Sequence, residues 1–207
     1  MDVGHQAEDG EHVSKLSRQQ RRAARERRRD RQQGWIWIAA VGAVIILGAL
    51  ALLAGRGGRA ARTPGGTQTF QVGSRFHTQG RVAYPQTPPV GGDHAPIWQN
   101  CGFYGAPVQP ETAVHSLEHG AVWITHRPDL PAAQVSHLRD LARSQTFVLV
   151  SPFPDLPSPV VASAWGVQLR LQAPDDYRLQ EFVRAFRLGP QTPEPGAPCS
   201  GGVGEPR

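Results

Sequence analysis

The sequence predicts an α+β protein: a small, mainly antiparallel sheet with helices packed on one face, preceded by a single N-terminal transmembrane helix. Three observations carry this reading. Twenty consecutive uncharged residues, "WIWIAAVGAVIILGALALLA" (35–54), match the ~20-residue length that crosses a hydrocarbon core of about 30 Å. The C-terminal half alternates short β-branched runs with stretches of helical periodicity, in the order β-α-β-β-α. Between the two lies a segment broken by Pro85, Pro88, Pro89, Pro96, Pro107 and Pro110, which leaves little room for regular helix.

Residues 1–34 form a basic leader, expected to be disordered or helical. They hold Lys15 and eight arginines, whereas residues 63–207 hold ten arginines against eleven acidic groups. The net charge of +5 therefore belongs to one end, and nucleic-acid binding by the main domain is excluded. Nine basic residues precede the apolar run and only Arg56, Arg59 and Arg62 follow it. The positive-inside rule then puts the N-terminus in the cytoplasm and the C-terminal domain outside the plasma membrane. Trp35 and Trp37 fall where an interfacial aromatic belt lies. A cleaved signal peptide has a shorter leader and an apolar region of about 7–15 residues, so a single-pass anchor is expected instead. The leader can also touch anionic headgroups; its His5 and His12 carry no assigned role.

Residues 55–68, "GRGGRAARTPGGTQ", read as a flexible linker. The extracytoplasmic domain spans 69–201. Residues 69–112 are dominated by turn formers, and only "RVAYP" (81–85) looks strand-like. So long an irregular segment in a compact domain is usually functional. "AVWIT" (121–125) is a buried strand, and "DLPAAQVSHLRDLARS" a helix with Val135, Leu138, Leu141 and Ala142 at helical spacing. "TFVLVSPF" is a second strand and "PVVASAWGVQLRLQ" a third. "PDDYRLQEFVRAFRLG" is a closing helix with Leu179, Phe182, Val183 and Phe186 on one face. The Pro/Gly-rich tail is expected to be disordered, at least over 202–207.

That tail nevertheless contains Cys199, one of two cysteines; the other is Cys101 in "WQNCGFYG". An extracytoplasmic space permits a disulfide, which would tie the tail down. Closing a loop of about 100 residues is worth roughly 4–5 kcal/mol in the chain-entropy picture. The alternatives are two free thiols, or Cys101 as a metal ligand.

The densest chemistry lies in "AVHSLEHGAVWITHRP" (113–128), where His115, Glu118 and His119 fall within five residues. "HSLEH" satisfies H-x-x-E-H, the inverted zinc-protease signature, in which two histidines bind metal and the glutamate activates water. Pro110, Glu111 and Gly120 bracket a helix of barely two and a half turns, shorter than that class uses. Metal binding without hydrolysis fits better, because His77 in "RFHTQG" and His94 in "GGDHAPIW" lie upstream. If the irregular segment folds over the first strand, His77, His94, His115 and His119 converge, with Asp93 and Glu118 supporting them or supplying oxygen ligands. Met1 is the only methionine, so a thioether copper(I) site is excluded; imidazoles suit zinc or copper(II). The rival is a non-catalytic envelope binding or scaffolding module, with structural histidines and a protein partner. His126 and His137 read as structural or solvated, and Trp98, Trp123 and Trp165 as core.

The runs "RVAYPQTPPVGGDHAPIWQNCGFYGAPVQPETAVHSLEHGAVWITHRPDLP" and "VLVSPFPDLPSPVVASAWGVQL", with the "PCSGG" tail, resemble the family called domain of unknown function 3105. The resemblance covers roughly residues 69–201, and "PPVGGDH", "NCGFY" and "HSLEHG" make it specific. It implies the same layout of basic leader, membrane span and extracytoplasmic domain, and no established activity. His126 departs from the pattern, where an aromatic is expected.

Overall fold

The computed structural model describes residues 62–207 and, upstream, 41–46 and 48. The latter are helical; among the described residues no helix is long and apolar enough to cross a membrane. Most of the 35–54 span, the leader and most of the linker lie outside the described residues, as do His5 and His12.

The unit from Ala60 to Arg207 is built on one six-stranded sheet. Its strands are β1 (Gln68–Thr69), β2 (Gly102–Phe103), β3 (Val122–His126), β4 (Val148–Pro152), β5 (Val160–Ala164) and β6 (Val167–Leu171). Its helices are α1 (Pro110–Glu118), α2 (Ala132–Ser144) and α3 (Tyr177–Phe186). The spatial order is β1-β6-β5-β3-β4-β2. β3 pairs antiparallel with β5, β5 with β6 and β6 with β1, while β4 runs parallel to both β3 and β2. The sheet is thus mixed rather than mainly antiparallel. The cause is α2, whose crossover returns the chain in the same direction beside β3.

Two other expectations change. "PVVASAWGVQLRLQ" is a hairpin, not one strand: Trp165 and Gly166 turn the chain, and Ala164 pairs with Val167. "RVAYP" forms no strand, because its Val82 N–H donates to the Glu111 carboxylate at 3.0 Å instead of to a ladder.

Successive residues of a strand face opposite sides, and here both sides are covered. Val122, Ile124, Val148 and Val150 meet Leu138 and Leu141 of α2 and Leu179, Phe182 and Val183 of α3. Trp123, Leu149 and Trp165 on the other side meet Ala113, Val114 and Leu117 of α1. The helices are therefore on both faces: α2 and α3 share one, and α1 takes the other. Double coverage explains why β3, β4 and β5 are buried at every position.

The tail is held rather than loose. Cys101 and Cys199 form a disulfide, so neither is a metal ligand or free thiol. Beyond it, the Val203 N–H donates to the Trp98 carbonyl at 2.9 Å and the Arg207 N–H to the Phe103 carbonyl at 2.8 Å.

Candidate metal centre

The site is built on the last turn of α1. Pro110 occupies the first turn, where its missing N–H costs nothing, and Glu111 complements the dipole there. Gly120, at φ +103°, stops the helix: its N–H donates to the Leu117 carbonyl at 3.0 Å, and Ala121 reaches back to Ser116 at 2.9 Å. Ala113, Val114 and Leu117 dock on the sheet. His115, Glu118 and His119, at i, i+3 and i+4, then share a common side.

The irregular segment folds back over them. His77 and His94 lie on adjacent parallel chains, with Thr78 N–H donating to the His94 carbonyl at 2.7 Å and His94 N–H to the Phe76 carbonyl at 3.0 Å. His77 stacks on His115, ring centroids 5.0 Å apart and planes 16° from parallel. One ligand atom each from His77, His94, His115 and Glu118 lies within 4.8 Å of all the others. His94, His115, Glu118 and His119 are 0–4 % exposed, whereas His77 is exposed and forms the outer edge.

Hydrogen bonds fix which nitrogen of each ring faces inward. Nδ1 of His94 donates to the Gly92 carbonyl (2.9 Å), that of His115 to Ala95 (2.7 Å) and that of His119 to Pro198 (2.6 Å). A ring that donates from Nδ1 presents a bare Nε2 lone pair. In the neutral rings these three lone pairs face one another and the Glu118 carboxylate. His115 and His119 bring their Nε2 atoms 2.9 Å apart, so two lone pairs oppose unless a proton or a metal cation lies between them. His94 Nε2 is 2.9 Å from Glu118 Oε2 but off the direction of a hydrogen bond, and finds no hydrogen-bond partner in the protein. Burial pushes the His115 imidazole below its ordinary pKa; the Ala95 carbonyl opposes this, and the neighbouring histidines add to it. A neutral ring is the ligand form.

Glu118 is a buried carboxylate whose second oxygen meets only Arg75, at 3.4 Å across a largely exposed side chain. Its other oxygen has only the misdirected His94 Nε2 at 2.9 Å. A buried carboxylate without a well-directed partner is costly, and a cation within the cluster would relieve it. Glu118 thus belongs with the candidate ligands. The peptidase reading assigns it instead to a water in an open cleft, and at 3 % exposure it has none. Asp93 does not join the cluster. It accepts from the Phe76 N–H at 2.8 Å, and the Ser74 hydroxyl, with that N–H, holds its carboxyl below the usual range. Its effect is to tie the strand of chain bearing His77 to the one bearing His94.

Two tryptophans wall the centre. Trp165 meets His94 edge-on at 6.1 Å, and Trp98 lies 5.8 Å from His115 and 5.2 Å from His119. Trp98 donates to the Ser200 carbonyl at 3.2 Å. A cavity of about 770 Å³ lies beside the centre and not over it. Ala95, whose carbonyl holds His115, lines it, but no histidine does. His126 and His137 are outside the cluster: His126 is buried at the end of β3, and His137 is exposed on α2. The three backbone carbonyls that orient the rings carry no sequence signal, since any residue supplies one.

An α+β domain whose irregular segment folds a histidine–carboxylate cluster against one helix is the class this geometry defines. Residues 76–201, more than half of the chain, match the family described as "Protein of unknown function (DUF3105)", and the chain belongs to that family. No curated protein and no solved structure matches it.

Proposed function

We propose that the domain is a metal-binding module whose centre takes one divalent ion on His77, His94, His115 and Glu118, with His119 beside it. The observation that carries this is the inward set of Nε2 lone pairs, each fixed by a backbone carbonyl on Nδ1, around a buried carboxylate. Carbonyl-anchored imidazoles are how proteins orient histidine ligands. Donors around a zinc ion with bonds of about 2.1 Å sit roughly 3.3–3.5 Å apart, so a small contraction of the present cluster suffices. With both cysteines in the disulfide, the donor set is imidazole and carboxylate, which suits zinc or copper(II). The exposed His77 gives the ion an access route. The apolar run 35–54 anchors the chain in the plasma membrane and presents the domain outside, a placement that the disulfide supports.

The scaffolding alternative takes support from the same carbonyl bonds, and from Phe76 at 74 % exposure beside His77. It has to account for His94 Nε2 through its 2.9 Å approach to Glu118 Oε2, which lacks hydrogen-bond direction. The experiment is elemental analysis of the purified full chain for zinc and copper, beside His94→Ala and Glu118→Gln. Near-stoichiometric metal in the parent, and a loss of affinity of about 100-fold or more in each variant, is expected. No metal in the parent after incubation with either ion makes the histidines architectural.

A further inference from the structure

We infer that the Cys101–Cys199 disulfide positions His119 at the metal centre, so that the redox state of this bond sets metal affinity. The inference rests on the metal-binding reading above.

The tail makes its contacts at the end of α1. The Glu194 N–H donates to the Glu118 carbonyl at 3.0 Å and the Gly196 N–H to the His119 carbonyl at 3.1 Å, satisfying acceptors that the helix end leaves open. Pro198 supplies the carbonyl that holds His119 Nδ1. The next residue is Cys199, whose own carbonyl accepts from the Cys101 N–H at 2.8 Å. Ser200 then accepts from Trp98, the ring that covers His115 and His119. Gly202 runs so close to Trp98 that a Cβ there would overlap its carbonyl and ring. Residues 193–201 thus orient one imidazole and hold its cover.

Backbone N–H groups pin the tail on either side, those of Glu194 and Gly196 on the end of α1 and those of Gly202, Val203 and Arg207 on Asn100, Trp98 and Phe103. Between these anchors the disulfide is the covalent tie. Between α3 and the C-terminus no segment forms a helix or a strand, and of residues 191–201 only Thr192 is buried. A segment that buries so little apolar surface offsets little of its ordering entropy by burial, so the covalent bond adds to the flanking hydrogen bonds in fixing residues 197–201. Both cysteines are half-buried, within reach of a dithiol reductant. In that exchange a thiolate of the dithiol attacks one sulfur and displaces the other. Its second thiol then resolves the mixed disulfide, leaving Cys101 and Cys199 as thiols and the reductant as a disulfide. The freed tail withdraws the Pro198 carbonyl, His119 loses its fixed tautomer, and Trp98 loses its Ser200 partner.

The test is a mutant cycle on the full chain, with zinc affinity read by chelator competition. Cys101→Ser/Cys199→Ser is expected to weaken zinc 10–100-fold, the usual effect of losing an orienting partner. His119→Ala is expected to do the same, and the triple variant to lose nothing further. Equal affinity in the parent and the serine variant overturns the inference and leaves the metal reading intact. A loss that persists undiminished in the His119→Ala background also overturns it, because the bond then acts on the whole domain. Zinc absent from the oxidised parent removes the metal reading itself. If the serine variant does not fold, the parent reduced with a dithiol and capped with iodoacetamide replaces it; unfolding there too makes the bond a general staple and overturns the latch.

Discussion

The two faces of the sheet are both buried, yet they are closed in opposite ways. On one, two regular helices lay Leu138, Leu141, Leu179, Phe182 and Val183 onto valines and isoleucine. On the other, a short helix and an irregular segment enclose four histidine and glutamate side chains, orient three rings through backbone carbonyls and close with a disulfide. Apolar surface is satisfied by area alone and tolerates approximate partners. Buried polar atoms need a partner in a direction, and irregular chain supplies directed carbonyls that a helix or strand has already used. The difference teaches where chemistry can be placed: on the face whose backbone is free to point at side chains.

Substitutions test that division. The largest effect is expected on the helix-covered face, where Phe182→Ala removes a fully buried ring and costs about 3–5 kcal/mol. Denaturant unfolding measures this, while zinc affinity per folded molecule stays unchanged. A parallel loss of affinity would show that the two faces are not separable.

His126 sharpens the contrast, because it is a buried histidine on the apolar side without neighbours of its kind. It follows Val122 and Ile124 in the alternation, donates from Nδ1 to the Arg127 carbonyl at 2.8 Å, and leaves Nε2 unpartnered. Burial pushes its pKa below the ordinary value, with the Arg127 carbonyl opposing. The folded chain then binds fewer protons than the unfolded one, whose histidine titrates near about 6.5. Stability is complete above that pH and falls as pH drops below it. His126→Phe is expected to gain about 1 kcal/mol by removing the unpaired nitrogen. It is also expected to shrink the loss of urea stability on acidification of the metal-free protein. The part due to His115, shifted the same way, remains. An unchanged pH profile would place the titration wholly in the centre.

The smallest effect is expected from Arg75→Ala. The pair with Glu118 is long and one partner is 56 % exposed, so metal-free stability changes by less than about 1 kcal/mol. Removing a competing cation should tighten zinc a few-fold, roughly the screened repulsion between the guanidinium and the ion. Weaker zinc binding would make Arg75 a support of the cluster and not a competitor.

Much of the regular structure was legible because it depends on local pattern. The helical spacing of Leu138, Leu141 and Ala142, and of Leu179, Phe182 and Val183, marks the faces that dock. The hairpin at Trp165–Gly166 was not, since two adjoining apolar strands buried on both sides form one continuous run. The parallel pairing of β3 and β4 was missed for a related reason: a strand's sequence does not carry its partner's direction.

At the site, the sequence alone determined the donor inventory: four histidines, two of them in an H-x-x-E-H core and two upstream, no thioether, and two cysteines far enough apart to exclude a redox pair of adjacent thiols. Which donors meet was decided by tertiary structure. Glu118 enters the candidate cluster, Asp93 stays outside it, and His119 meets it through His115. The reason is that ligand choice depends on the direction of each lone pair. Those directions are set by the carbonyls of Gly92, Ala95 and Pro198, atoms common to every residue and so invisible until the chain is folded.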